Sequence, residues 1–337
     1  NGLVYRPDQI LVSCGGKQSF YNLAQAILDP GDEVVIPVPY WVSYPDMVKL
    51  ADAQPAILAG SPENDYKITA RQLQNSINEN TRLLILNSPS NPTGLCYDAE
   101  QLQAIAEILR KYRVLALSDE IYSGTHYADD HVSLARFYPE GTIISNGLSK
   151  WCGAGGWRLG FFIFPQSLGW LADAMAAVAS ETFTSTSAPI QYAAVTALED
   201  RPEMRDYMLH SRQILAALAG HAYRTLSDAG AVLSQPGGGF YLFPRFEAHR
   251  ASLASRGIEN GQSFCQRLLD ETGVAALPGD CFGRPHRELS TRLAIVDFDG
   301  AKALQQAQSE TVDESFVKRH CSRVTTAVEH LAEWAAN

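Results

Sequence analysis

Two basic residues close together in the sequence, Lys150 and Arg158, have the chemistry needed to hold one small ligand at two points. Lys150 comes shortly after the apolar run 142–144, and Arg158 lies eight residues further on. A lysine just past a buried strand can lose its proton and attack a carbonyl carbon. An arginine on the same loop can bind a phosphate. The pair suggests a lysine that carries an aldehyde cofactor as a Schiff base, with the cofactor's phosphate anchored nearby.

The length and composition indicate a folded protein with a substantial core. With 337 residues, the chain is long enough for one large domain and a smaller one. Hydrophobic residues make up 46% of it and charged residues 19%, which argues against disorder. The net charge of −10 argues against nucleic acid as a partner. Small anionic ligands stay possible because single arginines can bind them.

Neither the cysteines nor the histidines have the spacing of a metal site. The six cysteines form no Cys-x-x-Cys pair, and no group of histidines has zinc-like spacing. We therefore expect no metal, reduced thiols and a cytoplasmic protein. We find no apolar run long enough to span a membrane and no signal peptide, so we expect no membrane partner.

Strand-like and helix-like segments alternate through the first half of the chain. Short, continuous apolar runs indicate strands that are buried on both faces, and helical segments between them imply a mostly parallel sheet. The strands are predicted at residues 10–13, 33–37, 82–87, 114–118, 142–145 and 159–164, and helices at 17–28, 43–51 and 99–112. After about residue 200 the pattern changes to a few strands and long helices, the last of them predicted at residues 313–336. We place a large domain at residues 1–211 and a small α+β domain at 212–337.

The residues that could do chemistry follow the carboxyl ends of the predicted strands, where open parallel sheets bind ligands. The Gly15-Gly16-Lys17 turn offers backbone N–H groups to an anion at a helix start. Asp119 ends a strand, where a carboxylate can face a ring nitrogen and keep it protonated, although it could instead cap the next segment. The turn 87–94 contains two prolines and fixes Asn91 in space.

Together these segments resemble the class I aminotransferases of the pyridoxal-phosphate fold-type I superfamily, in the aspartate-aminotransferase-like branch. The resemblance covers most of the chain and implies a seven-stranded, mostly parallel sheet flanked by helices, plus a smaller α+β C-terminal domain. Family members already have many residues before the position of Asn1, so we expect the family's N-terminal segment to be missing here. The matching stretches are 15–18, 39–45, 87–94, 119–122, 149–150, 156–160, 239–241, 277–279 and 291–293.

The resemblance also implies a role for each residue that touches the pyridoxal 5′-phosphate ring. Lys150 would hold the cofactor and then shuttle a proton between the substrate and the cofactor. Asp119 would pair with the ring nitrogen, and Tyr122 and Asn91 would hydrogen-bond the ring hydroxyl oxygen. Trp41 would stack on the ring face. On this basis Lys150, Asp119 and Tyr122 are the predicted catalytic residues.

Other residues are implied to bind the phosphate and the substrate. The N–H groups of Gly16 and Lys17, with Arg158 and Ser149, would hold the phosphate. Arg292 would grip the substrate α-carboxylate as a bidentate fork, with Asn91 and Trp41 also at the substrate. Asp297 and Asp299, which follow Arg292, could disfavour acidic substrates or could be solvated loop residues.

The function that follows is a cytoplasmic, homodimeric transaminase with active sites shared between its subunits. It would move an amino group from an L-amino acid to a 2-oxo acid in a ping-pong cycle. One alternative keeps the cofactor but changes the reaction to a β-lyase or another carbanion chemistry. Another alternative is a ligand-binding or regulatory module built on the same fold.

Overall fold

The computed structural model describes residues 1–337 and contains one large and one small β-sheet. The strands are β1 Ile10–Ser13, β2 Glu33–Val38, β3 Gln54–Ala59, β4 Thr81–Asn87, β5 Leu115–Asp119, β6 Thr142–Gly147, β7 Gly160–Ile163, β8 Tyr241–Leu242, β9 Leu277–Pro278 and β10 Thr291–Ala294. The helices are α1 Gly16–Ile27, α2 Ser43–Lys49, α3 Ala70–Ser76, α4 Ala99–Tyr112, α5 Gly169–Thr182, α6 Ala188–Leu198, α7 Pro202–Asp228, α8 Arg250–Ser255, α9 Gly261–Thr272, α10 Gly300–Ala307, α11 Glu314–His320 and α12 Ser322–Ala336. None of the helices combines the length and the apolar character that crossing a bilayer requires.

The large sheet has seven strands in the order β1-β7-β6-β5-β4-β2-β3. Strands β2 to β6 pair in parallel, whereas β7 runs antiparallel to both β6 and β1. The predicted seven-stranded, mostly parallel sheet is therefore confirmed. The strand runs read from the sequence did not include β3, an edge strand in which residues 56–59 are apolar but none is fully buried.

Alternate residues of the parallel strands supply two cores, one on each face of the sheet. In β2, Val34 and Ile36 belong to one apolar cluster and Val35 to the other. In β4, Leu83 and Leu84 divide between the two clusters in the same way. This alternation follows from the two-residue period of a strand. It explains why the predicted strands read as continuous apolar runs.

The second half of the chain forms its own apolar core around the three-stranded sheet β8-β10-β9. Helix α7 joins the two halves, and its residues from Ile214 onward pack into this second core. The boundary predicted between residues 211 and 212 falls within α7 and stays a prediction. The helix predicted over 313–336 is two helices, because the backbone leaves the helical conformation at the fully buried Cys321.

Candidate active site

A cavity of about 400 Å³ lies at the carboxyl edge of the large sheet. Strands β4, β5 and β6 are parallel, so the residues at their carboxyl ends meet there. Because β7 returns antiparallel beside β6, the loop between them opens at the same edge. All of the residues that the sequence assigned to the site line this cavity: Gly16, Lys17, Trp41, Asn91, Asp119, Tyr122, Ser149, Lys150, Arg158 and Arg292.

Asp119 forms the deep end of the cavity, where it is only 4% exposed. Burial raises the pKa of its carboxyl to about 6, although hydrogen bonds from Tyr44, the Ile121 backbone and Ser145 favour the charged form. The Tyr44 hydroxyl donates to Oδ2 of Asp119 at 2.5 Å. A buried carboxylate that retains donors is suited to pair with a cationic ring nitrogen. Sequence reasoning missed Tyr44, whose only signal was its place within the matched stretch 39–45.

Lys150 lines the same cavity and is partly buried, and charges from both ends of the cavity act on its amine. Burial lowers the pKa of its amine, and the positive charges of Arg292 and Arg158 act in the same direction, while Asp119 opposes them. A lowered pKa increases the fraction of neutral amine, which is the nucleophilic and basic form. The amine nitrogen stands 5.8 Å from the ring centres of both Tyr122 and Phe240. Lys150 therefore has the environment of a reactive lysine.

The open end of the cavity combines a helix N-terminus with a guanidinium group. Helix α1 starts at Gly16, and Arg158 lies opposite, with Nη1 donating to the Gly155 carbonyl at 2.7 Å. A side chain at Gly15 would place its Cβ 2.2 Å from Nη2 of Arg158, and Gly15 has a φ of +82°. Only glycine allows this close approach. Free backbone N–H groups at a helix start beside an arginine fit a phosphate.

Arg292 reaches the cavity from β10 of the small sheet. Its Nη1 donates to Oδ1 of Asn91 at 3.0 Å, and its guanidinium carbon stands 4.5 Å from the ring centre of Tyr241 and 5.0 Å from that of Phe282. Its buried Nε has no hydrogen-bond partner. An arginine fixed between two rings with a free donor fits a ligand carboxylate. Sequence reasoning did not single out Tyr241 as a site residue, although it lies in the matched stretch 239–241.

Aromatic side chains complete the walls of the cavity. Tyr122 is buried, which raises the pKa of its hydroxyl well above the usual value, and that hydroxyl donates to the Tyr241 hydroxyl at 3.4 Å. Trp41 packs edge-on against Tyr44 at 5.2 Å between ring centres. The amine of Lys17 stands 5.1 Å from the Trp41 ring centre. The cavity thus offers ring faces and four cations around one deeply buried carboxylate.

Asp297 and Asp299 lie outside the cavity. Asp297 is exposed and forms an ion pair with Arg323 at 3.1 Å, and Asp299 accepts a hydrogen bond from the Lys302 backbone at the start of α10. The hypothesis that these carboxylates exclude acidic substrates therefore has no support in the structure. They act as the surface and capping residues that the sequence also allowed.

Comparison with known proteins assigns the chain to a class of enzyme. The family described as aminotransferase class I and II matches residues 1–301. An aspartate aminotransferase from Geobacillus stearothermophilus is 40% identical over 289 residues, which cover 84% of this chain and 71% of the relative. An aspartate/prephenate aminotransferase from Cereibacter sphaeroides is 37% identical over 291 residues, with coverages of 84% and 71%.

Solved structures agree with this assignment. The aspartate aminotransferase from Thermus thermophilus with maleate matches with a TM-score of 0.82 and 30% identity, covering 98% of this chain and 78% of that one. The aromatic aminotransferase from Pyrococcus horikoshii matches with a TM-score of 0.84 and 28% identity, with coverages of 99% and 81%. The fold and the cavity are thus those of a pyridoxal-phosphate enzyme. The chain belongs to the class I and II aminotransferases, and it is a pyridoxal-phosphate-dependent aminotransferase.

Proposed function

We propose that Lys150, Asp119 and Arg292 carry out amino-group transfer between an L-amino acid and a 2-oxo acid in this cavity. The observation that carries the proposal is the joint burial of an amine with a lowered pKa and a carboxylate in one cavity. Pyridoxal phosphate, when bound, supplies a ring that delocalises the electron pair left when the substrate Cα loses its proton. Groups of this protein would bind the cofactor and the substrate and move the proton.

The proposed cofactor contacts follow from the two ends of the cavity. Asp119 would hold the ring nitrogen at the deep end, and the N–H groups of Gly16 and Lys17 would hold the phosphate at the open end. Arg158 and Ser149 would assist at the phosphate, because both line that part of the cavity. The helix dipole of α1 and the guanidinium charge both favour a dianion.

The ring itself would lie against aromatic and amide groups. Trp41 would stack on one face, and Tyr122 and Asn91 would donate hydrogen bonds to the ring hydroxyl oxygen. All three line the cavity, and Asn91 is already fixed by its backbone N–H, which donates to Oδ1 of Asn87 at 2.7 Å. These contacts would hold the ring within the cavity that Lys150 also lines.

Lys150 would hold the cofactor covalently through Nζ, and its released amine would then move the proton between the substrate Cα and C4′ of the cofactor. The lowered pKa of Lys150 favours this base role, since a neutral amine must be present near pH 7. Arg292 would bind the substrate α-carboxylate with donors that Asn91 leaves free. Bidentate binding by a planar guanidinium would orient the Cα–H bond.

A product assay tests this reaction against a β-lyase on the same cofactor. The loaded enzyme is given an amino acid with and without an added 2-oxo acid, and both products are quantified. We expect a new amino acid to form in step with consumption of the oxo acid. Release of pyruvate and ammonia without an oxo acid would instead identify a lyase, and binding without turnover would identify a ligand-binding module.

We further propose an acidic amino acid as the preferred substrate. Four cations line the cavity, and the proposed roles engage Lys150, Arg158 and Arg292, which leaves the side chain of Lys17 beside Trp41 for a second carboxylate. Three of the similar proteins described above are named for aspartate, which supports the same choice.

The specificity test compares kcat/KM for aspartate and alanine in Lys17→Ala, with the exposed Lys49→Ala as control. We expect about a tenfold loss for aspartate alone, since one charge-assisted hydrogen bond is removed. Equal losses for both amino acids, together with weaker cofactor binding, would place the Lys17 amine at the phosphate instead.

A homodimer with shared active sites is also part of the proposal. Helix α6 and strand β1 expose apolar side chains on one surface, including Tyr192 at 80% and Val195 at 58% exposure, and a subunit contact would bury them. Analytical ultracentrifugation of wild type and Val195→Glu tests this surface. We expect a dimer that the glutamate weakens, and a monomeric wild type would overturn the proposal.

Location and domain division remain proposals of the same kind. The six free cysteines support a cytoplasmic protein, because reduced thiols persist there. Cell fractionation tests the location. A division at residues 211 and 212 is supported by the separate core that starts at Ile214, and limited proteolysis of the two halves tests it.

A further inference from the structure

One contact at the deep end of the cavity belongs to none of the proposed cofactor or substrate groups. Tyr44, near the start of α2, directs its hydroxyl onto Oδ2 of Asp119 at 2.5 Å. Tyr44 is only 2% exposed, so water does not compete for this hydrogen bond. A hydrogen bond to a buried carboxylate is of the strong, charge-assisted kind. The two residues lie 75 positions apart in the sequence, so the contact depends on the packing of α2 against the sheet.

The two oxygens of Asp119 have different partners. Oδ2 accepts from Tyr44, whereas Oδ1 accepts from the Ile121 backbone N–H at the longer distance of 3.3 Å. Anchoring both oxygens fixes the plane of the carboxylate. Tyr44 makes the shorter of the two contacts and thus supplies much of the restraint on its direction.

The ring of Tyr44 is itself held by neighbouring aromatic groups. Its centre is 5.3 Å from that of Phe20 and 5.2 Å from that of Trp41. These packing contacts involve the ring and not the hydroxyl. Loss of the hydroxyl alone should therefore leave the walls of the cavity in place, which separates the hydrogen bond from the packing.

We propose that Tyr44 is a positioning residue, whose hydroxyl keeps Asp119 ionised and aimed at the ring nitrogen of the bound cofactor. This inference rests on the role proposed above for Asp119. Tyr44 does not touch the reacting atoms, and it acts through the carboxylate.

The charges around Asp119 agree with a need for such a donor. Burial and the negative charge of Glu120 both favour the neutral carboxyl, and hydrogen bonds from Tyr44, Ile121 and Ser145 oppose them. When protonated, Lys150 adds a positive charge on the cavity side, and the Tyr122 hydroxyl is another titratable neighbour. The pKa of Tyr44 itself is raised well above the usual value by burial and by Asp119, so it stays a donor at neutral pH.

The direct test is a pH titration of the Asp119 carboxyl carbon by NMR in the apoprotein, with Asp119→Asn to assign the signal. We expect the pKa of Asp119 to rise by about one unit in Tyr44→Phe, because one charge-assisted hydrogen bond is lost. Tyr97→Phe is the matched control, since the hydroxyl of Tyr97 is also buried but accepts from the Ile68 backbone, away from the site. An unchanged titration in Tyr44→Phe would overturn the proposal.

A second measurement covers the case in which Tyr44→Phe does not fold. The Cζ chemical shift of Tyr44 in folded wild type and in folded Asp119→Asn reports the same hydrogen bond from its other end. We expect the two shifts to differ, and identical shifts would count against the contact.

Kinetics of the cofactor-loaded enzyme distinguish the positioning role of Tyr44 from the proposed role of Asp119 on which it rests. We expect Tyr44→Phe to lower kcat about tenfold with little change in KM for the amino acid, because orientation of Asp119 and not substrate binding is affected. An active Asp119→Asn would remove the proposed role of Asp119. An inactive Asp119→Asn with a fully active Tyr44→Phe would leave that role intact and reject the positioning role of Tyr44.

Discussion

The two ends of the active-site cavity carry side chains of opposite charge, and these side chains are held in position in different ways. At the deep end, Asp119 is buried at the end of a central strand and is held by donors from other elements. At the open end, Arg158 is exposed, and its position depends on its left-handed backbone (φ 58°) and on the missing side chain of Gly15. The deep end is thus positioned by core packing, whereas the open end is positioned by local backbone conformation.

This difference has an energetic consequence. A buried charge at the deep end destabilises the ligand-free protein. It also interacts strongly with other charges, because little water screens it. A charge at the open end costs little and is screened by solvent. We therefore expect changes at the deep end to affect reactivity and stability, and changes at the open end to affect mainly cofactor affinity.

The largest effect should come from Lys150, which lines the same cavity. Lys150→Ala should still bind the cofactor but lose turnover by several orders of magnitude, because it removes both the covalent anchor and the base. The measurement is kcat with the preferred amino acid, together with the absorbance of the bound cofactor. Lys49→Ala changes an exposed lysine and serves as control. Normal turnover in Lys150→Ala would refute the mechanism.

The next-largest effect concerns how Asp119, at the deep end, changes the free energy of unfolding of the apoprotein with pH. The pKa of Asp119 is about 6 in the folded protein, above its unfolded value, so its contribution to stability is present at low pH and is lost as pH rises from 4 to above 6. The free energy of unfolding of Asp119→Asn should therefore rise by about 3 kcal/mol relative to that of wild type between pH 4 and pH 7.5. Urea unfolding at the two pH values measures the difference. Asp46→Asn, which changes an exposed carboxylate, serves as control. If the free energy of unfolding of Asp119→Asn changed with pH as much as that of wild type, the burial argument would be wrong.

At the open end, Arg158→Ala should weaken cofactor binding by roughly ten- to a hundredfold, the effect of one or two lost charge-assisted hydrogen bonds. The loss should shrink as salt is added, because the group is exposed. Equilibrium dialysis of the cofactor at two ionic strengths provides the measurement. If kcat of the fully loaded variant falls as much as affinity does, the two ends are not separable in the way described.

The smallest effect should come from the backbone beside Arg158. Gly15→Ala forces a non-glycine residue to a φ of +82° and displaces the guanidinium, so it should cost about 1 kcal/mol, or about fivefold in cofactor affinity. Gly31→Ala is the matched control, since Gly31 also has a positive φ (+97°) but its Cβ would meet nothing within 4 Å, and it does not line the cavity. Equal affinities for the two variants would show that the close approach to Arg158 has no role.

The parts of the site that could be predicted from the sequence are those fixed by local order along the chain. Asp119 and Lys150 follow continuous apolar runs, so their place at the carboxyl edge follows from the strands alone. The parts that could not be predicted depend on contacts between distant elements. Tyr44 meets Asp119 only because α2 packs against the large sheet, and Tyr241 meets Tyr122 only because the second sheet lies close to the carboxyl edge of the first.

The same distinction applies to the fold. The buried strands were predictable because both of their faces are apolar, whereas β3 lies at the edge of the sheet and has only partly buried and exposed residues. The break in the last predicted helix at Cys321 has no signal in a helical pattern that continues on both sides. Burial of Cys321 in the core of the second half accompanies that break.

Because β7 returns antiparallel beside β6, one short loop connects the two strands at the edge of the sheet where the cavity lies. Lys150 stands near the start of this loop and Arg158 near its end, so one connection carries both the proposed covalent anchor and the proposed phosphate anchor. Strands β2 to β5 do not share this connection. The spacing of the two proposed anchors can therefore change within the segment 151–157 while the paired residues of β6 and β7 on either side keep their register.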